Sequence, residues 1–190
     1  MHQRRRVTKE TEIYASLELR GEGRAKIDTG VGFFDHMLES LAKHSHVDLE
    51  VICKGDLHVD AHHTVEDVGI VLGELFNDEV YPVENMERFG NAVVVMDEAS
   101  VSCDIDLSNR PYLHCELPVS GKIGEFDAEL AEEFFRAFAF SMRITMHLIY
   151  NRGRNGHHIV EAAFKSLAVA LRRATSIDER AGIPSTKGVL

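Results

Sequence analysis

Two short segments carry the same run of metal-capable residues. His62-His63-Thr64-Val65-Glu66 and His157-His158-Ile159-Val160-Glu161 match at a constant offset of 95 residues. On a helix the first His and the Glu lie four positions apart and the second His and the Glu three, so each pair shares a face. The two adjacent histidines diverge by ~100° on a 3.6-residue turn and do not readily reach one ion together. Two such helices therefore offer ligands in several directions, which favours two metal ions over one. A single His pair at a helix start is ordinary capping or surface chemistry; its repetition points to metal. Around the first copy, His58, Asp60, His62, His63, Glu66 and Asp67 crowd together. Imidazole mixed with carboxylate suits Mn, Fe, Co, Ni or Zn better than Mg or Ca. No thiol joins the cluster, against a Cys-rich structural zinc site, and the order His-His-x-x-Glu is not the His-Glu-x-x-His of a zinc protease.

The elements around each pair also repeat in type. Glu12 to Leu19 alternates apolar and polar residues, and Arg20-Gly21-Glu22-Gly23 turns the chain into Arg24 to Asp28, which predicts two strands. Phe33 to Lys43 reads as a helix, Val47 to Cys53 as a strand, and His62 to about Asn77 as a second helix. In the second half, Ala92 to Asp106 and Pro111 to Leu117 form the strand pair. Leu130 to Met142 is an apolar helix, Thr145 to Tyr150 a strand, and His157 to about Thr175 the last helix. Each half reads ββαβα, an α+β unit whose helices cover one sheet face. The halves divide near Glu84–Gly90, as residues 1–90 and 91–190 of one unit, and Asp178 to Leu190 forms an extended tail.

Composition narrows the function classes. The chain has 190 residues, 44% of them hydrophobic, enough for a full core. A net charge of −10 makes a nucleic-acid backbone an unsuitable partner, and the basic run Arg4-Arg5-Arg6 reads as a solvated end. No apolar run reaches the ~20 residues of a membrane span, and no secretory signal is visible. Three cysteines, Cys53, Cys103 and Cys115, form no CxxC pair, so a reducing cytoplasm is the expected location. His2, His44, His46, His58, His114 and His147 receive no role, and the cysteines read as small buried hydrophobes.

Longer motifs then resemble a known family. Gly32-Phe33-Phe34-Asp35-His36-Met37-Leu38, Asp60-Ala61-His62-His63-Thr64-Val65-Glu66-Asp67 and Asn155-Gly156-His157-His158-Ile159-Val160-Glu161 look like signatures of the imidazoleglycerol-phosphate dehydratases. Thr8-Lys9-Glu10-Thr11, Arg88-Phe89-Gly90, Asn109-Arg110-Pro111-Tyr112 and Pro184-Ser185-Thr186-Lys187-Gly188 resemble it too, so the likeness runs from about residue 4 to 190.

The resemblance implies a tandem duplication of the ribosomal protein S5 domain 2-like type. It also implies a hydro-lyase of histidine biosynthesis that converts imidazole-glycerol phosphate to imidazole-acetol phosphate. Two Mn²⁺ per active site and a homo-oligomer of 24 subunits with active sites between subunits belong to the same implication. Carried over residue by residue, one metal takes His62, His157 and Glu161, with a fourth ligand from the Leu130–Met142 helix; the other takes His36, His63, Glu66 and His158. Several relatives carry His where this chain has Glu133, so that fourth ligand becomes a carboxylate or is replaced by water. Glu10, Asp97 and Glu161 are the candidate proton shuttles, unranked, and Glu10 also faces substrate. Arg88, Arg110 and Lys187 hold the phosphate, helped by Ser185 and Thr186.

Two other readings stay open on the residues alone. A His-rich metal-storage or delivery protein would use the histidines but not Arg88, Arg110 and the Ser185-Thr186-Lys187 tail. A dinuclear metallohydrolase acting on a phosphate ester would use both.

Overall fold

The computed structural model describes residues 1–188 and 190. Its first half runs β1 (His2–Val7), β2 (Thr11–Glu18), β3 (Ala25–Asp28), α1 (Gly32–Ser45), β4 (Asp48–Gly55) and α2 (His62–Val80). The second runs β5 (Phe89–Met96), β6 (Ala99–Asp106), β7 (Tyr112–Glu116), the short pair β8 (Lys122–Ile123) and β9 (Phe126–Asp127), α3 (Leu130–Met142), β10 (Thr145–Arg152) and α4 (Gly156–Ala174). Two four-stranded sheets share one topology, β1-β2-β4-β3 and β5-β6-β10-β7. In both, the first three strands in that order are antiparallel and the last, β3 or β7, runs parallel to its neighbour. The duplicated α+β fold is therefore present, but the main sheet of each half carries one strand more than the ββαβα reading, and the second half adds the short β8–β9 pair.

The reason differs between halves. β1 has no apolar alternation because its arginines do the packing. Arg4 reaches Glu74 at 2.7 Å and Arg6 reaches Asp67 at 3.0 Å, both on α2, while Arg5 pairs with Glu12 on β2 at 2.7 Å. The run is an edge strand laid over a helix, not a solvated end. In the second half, the stretch read as one strand is a hairpin, turned at Asp97-Glu98 with Asp97 in the left-handed region at φ 47°. Asp tolerates that region better than most residues.

Helices lie between the sheets, α1 and α2 on the first and α3 and α4 on the second; across the middle α2 packs on α3 and α1 on α4. Phe34, Phe126, Phe134, Phe138 and Phe164 meet there, with ring centroids 4.9 Å apart for Phe134–Phe164 and 5.5 Å for Phe34–Phe134. Gly69 faces Phe134 and Ala137, and Gly73 faces Phe138 and Ser141, so α2 and α3 run parallel. A Cβ at Gly73 would sit 2.6 Å from the Phe138 carbonyl, which makes glycine obligatory for this approach. Parallel packing brings the N-terminal turns of the paired helices to one end. Among the described residues no helix is long and apolar enough to cross a membrane.

Candidate metal centre and phosphate pocket

Both His-His-x-x-Glu helices begin the same way. The Asp60 carboxylate accepts from the backbone N–H of His62 at 2.8 Å, and the Asn155 side chain accepts from that of His157 at 3.0 Å. An Asx residue two positions before the first His satisfies an orphan donor of the first turn and sets where the helix starts. The motif therefore occupies the opening turns, at the end of the helix layer.

His157 Nε2 lies 3.1 Å from Glu161 Oε2, one turn on, and His36 Nε2, from α1, lies 3.5 Å from the same oxygen. One ligand atom from each of His36, His157 and Glu161 falls within 4.8 Å of the others. Ligands held at about 2.0–2.2 Å from one ion lie roughly 3–4.4 Å apart, so the three fit a single divalent cation. Glu161 is the buried member, with a side chain only 6% exposed. Burial alone would raise its carboxyl, but Lys165, whose Nζ is 2.7 Å from the other oxygen, and the two imidazoles hold it below the usual range.

Within one chain the grouping differs from the division of ligands that the resemblance implies. His36 joins His157 and Glu161, not His63, Glu66 and His158, because α1 packs on α4 across the halves. His62 does not meet His157; it faces Glu66 on its own helix at 3.9 Å. Glu133 lies in the first turn of α3, the helix parallel to α2, and its charge partner is Arg136 at 3.9 Å. Among the described residues it belongs to no three-ligand group as close as that of His36. Asp67, counted with the metal-capable residues, is turned inward instead: it accepts from Arg6 at 3.1 Å and from Thr11 at 2.5 Å.

The second histidine of each pair points elsewhere, as its ~100° divergence requires. His63 Nδ1 lies 3.0 Å from Asp56, and its Nε2 lies 3.6 Å from Glu10. His158 Nδ1 lies 2.7 Å from Glu98, and its Nε2 lies 3.9 Å from Asp97. The carboxylates bonded to Nδ1 push both imidazoles above their ordinary range. Glu98 is held down to about 2 by His158 and by the N–H groups of Asn155 and Arg154. Asp56 and Glu98 are the residues the sequence reading missed; the signal for Glu98 was its place beside Asp97 in a turn hidden within one apparent strand. Of the three candidate proton shuttles, Glu10 and Asp97 are exposed, whereas Glu161 is buried with both oxygens engaged.

Arg88, Arg110, Ser185, Thr186 and Lys187 do come together, lining a cavity of about 270 Å³ with Ser108 and Leu190. Their roles differ. Arg88 is nearly buried and spends its guanidinium on Asp106, at 2.7 and 3.1 Å, and on the Pro184 carbonyl at 2.7 Å, which latches the tail. Arg110 is 72% exposed and touches Asp106 only at 3.8 Å. Arg110 and Lys187 thus keep donors for an anion. This cavity sits beyond the Asp106 end of β6, whereas Asp97, Glu98 and His158 gather at its Ala99 end. At about 3.3 Å per residue the ends of that strand are roughly 23 Å apart.

Paired halves, each a four-stranded sheet with two helices, carry His-carboxylate clusters at the helix starts and a cationic pocket at the far sheet end; they define a duplicated α+β protein with side chains that could hold a metal ion and an anion. The family model for imidazoleglycerol-phosphate dehydratase matches residues 29–171. The imidazoleglycerol-phosphate dehydratase of Sulfurovum sp. is 70% identical over 97% of both chains, and that of Sulfurimonas denitrificans 64% identical over 97% of both. Among solved structures, the enzyme of Pyrococcus furiosus in complex with (S)-C348 superimposes with a TM-score of 0.85 at 41% identity, over 98% of this chain and 100% of its own. That of Staphylococcus aureus gives 0.80 at 37% identity, over 92% and 98%. The chain belongs to the imidazoleglycerol-phosphate dehydratase family, whose members are hydro-lyases.

Proposed function

We propose that this chain dehydrates imidazole-glycerol phosphate to imidazole-acetol phosphate in histidine biosynthesis, in the cytoplasm, with two Mn²⁺ per active site. Family membership over nearly the whole chain is the observation that carries the reading. His36, His157 and Glu161 would hold one ion. His62 and Glu66, with Glu133 on the parallel helix beside them, would supply the other. His63 and His158, facing away from both groups, are then left to complete sites built with a second copy. The bound metal supplies Lewis acidity and orientation at the imidazole ring.

The chain's own residues account for the rest. Arg110 and Lys187 bind the phosphate dianion, with the Ser185 and Thr186 hydroxyls beside them. Glu10 and Asp97 are exposed carboxylates placed to move protons. One takes the proton from the carbon next to the one that loses hydroxide, and the hydroxyl leaves as water. The resulting enol tautomerises to the ketone, so one water is lost and no oxidant is needed.

A small substrate does not bridge the roughly 23 Å between the two ends of β6. That separation supports active sites assembled between subunits of a homo-oligomer, for which the family resemblance implies 24 copies. Incubating the purified protein with Mn²⁺ and imidazole-glycerol phosphate tests the reading. Formation of imidazole-acetol phosphate is expected; release of inorganic phosphate alone would mean a metallohydrolase instead.

A further inference from the structure

His63 and His158 share a device that His62 and His157 lack. Each has a carboxylate on Nδ1: Asp56 at 3.0 and 3.2 Å from His63, Glu98 at 2.7 Å from His158. Neither His62 nor His157 has such a partner among the described residues; their approaches to Glu66, at 3.9 Å, and Glu161, at 3.1 Å, run through Nε2. The two carboxylates come from different elements. Asp56 follows β4 directly, and Glu98 comes from the β5–β6 turn. The same geometry is thus reached twice by unlike routes.

Glu98 is also fixed in place. Its second oxygen accepts from the backbone N–H of Arg154 at 3.0 Å and of Asn155 at 2.8 Å, in the loop that leads into α4. A carboxylate facing Nδ1 requires a proton there, which leaves the lone pair of the neutral ring on Nε2. In both cases Nε2 lies beside an exposed carboxylate, Glu10 at 3.6 Å from His63 and Asp97 at 3.9 Å from His158.

We propose that Asp56 and Glu98 are positioning residues, which hold His63 and His158 in the Nδ1–H tautomer and present each Nε2 as a ready donor to a divalent metal ion. The proposal rests on the metal reading above. Partners of this kind set ring orientation and basicity of metal-ligating histidines, and their loss costs about 10- to 100-fold in metal affinity.

Glu98→Gln and Asp56→Asn, each in the full chain, separate positioning from a merely structural role. In Glu98→Gln the amide oxygen still accepts from Arg154 and Asn155, but the NH₂ now faces His158 Nδ1. That arrangement favours the opposite tautomer, with Nε2 protonated and closed to metal. Mn²⁺ binding is read by equilibrium dialysis, with thermal unfolding of the metal-free protein alongside. The expected result is a 10- to 100-fold loss of Mn²⁺ affinity with the unfolding temperature unchanged. Wild-type affinity in a folded Glu98→Gln and a folded Asp56→Asn would overturn the proposal. Should Glu98→Gln fail to fold, Asp56→Asn decides alone, because it leaves the Arg154–Asn155 anchor intact. His158→Ala is the reference. If it loses Mn²⁺ while Glu98→Gln does not, positioning is wrong and the metal reading stands. If His158→Ala itself binds Mn²⁺ normally, the metal reading of His158 is what fails.

Discussion

His36 Nε2 lies 3.5 Å from Glu161 Oε2, although the two residues belong to opposite halves of the chain. Glu161 is therefore the hinge of a cross-half cluster, approached by His36 from α1, by His157 along its own helix and by Lys165 from the other side. His36→Ala should remove a metal ligand without a fold penalty, since its side chain is 48% exposed. Surface substitutions of this kind move stability by about 0.5 kcal/mol at most. Bound Mn²⁺ per subunit should fall, with circular dichroism and unfolding temperature unchanged. Undiminished metal content would remove His36 from the centre.

The substrate end of the site makes a separate prediction. Arg110→Ala should raise KM by about 10- to 150-fold, the equivalent of ~1.5–3 kcal/mol for a charged hydrogen bond, with Mn²⁺ content unaffected. Arg88→Ala should behave differently. It strands Asp106 and frees the Pro184 carbonyl, so the tail should become sensitive to limited proteolysis and thermal stability should drop. A purely kinetic defect in Arg88→Ala would show that its bonds to Asp106 and Pro184 do not hold the tail.

The legible parts were local ones. Histidine spacing on α2 and α4 predicted two ligand directions, and helical periodicity placed Leu130–Met142 with the bounds observed. β1 escaped because an edge strand built on arginines has no apolar alternation. β8 and β9, two residues each, are too short for any periodicity. Which ligands meet within one chain was not legible, because it depends on which helix packs on which. That depends on close approaches such as Gly73 against the Phe138 carbonyl, between residues remote in sequence. Asp56 and Glu98 were hidden for the same reason: each acts on a histidine of another element.

Glu133 offers a direct comparison of ligand chemistry. In a site built from His62, Glu66 and Glu133, Glu133→Gln should lower Mn²⁺ affinity. Glu133→His should keep the metal but shift preference from Mn²⁺ toward softer ions such as Zn²⁺, because imidazole is the softer donor. Competition binding with the two metals reads this out. Identical affinities in both variants and the parent would leave Glu133 as a helix charge paired with Arg136.

The thiols predict an alkaline limit. Burial pushes Cys53 up to about 11 and Cys115 up to about 12, and raises Cys103 as well, from an ordinary value of 9.0. A raised folded value means that the protonated thiols stabilise the fold fully below pH 9. That contribution declines above pH 9 and is lost as pH rises through 11 to 12. Unfolding temperature should decline above pH 9, and Cys53→Ala should flatten part of the decline. At pH 8 the native protein should resist thiol-exchange reagents that react at once after denaturation.

The two ends of β6 give the protein a genetic property. If a working site takes its metal end from one chain and its phosphate end from another, His157→Ala and Arg110→Ala damage different ends. Each variant alone would be inactive or nearly so. Mixed and allowed to reassemble, they would form some sites with both ends intact, and activity would be greatest at an equal mixture, where about one site in four is whole. Two defective alleles in one cell would then complement each other, which no self-contained monomeric site allows.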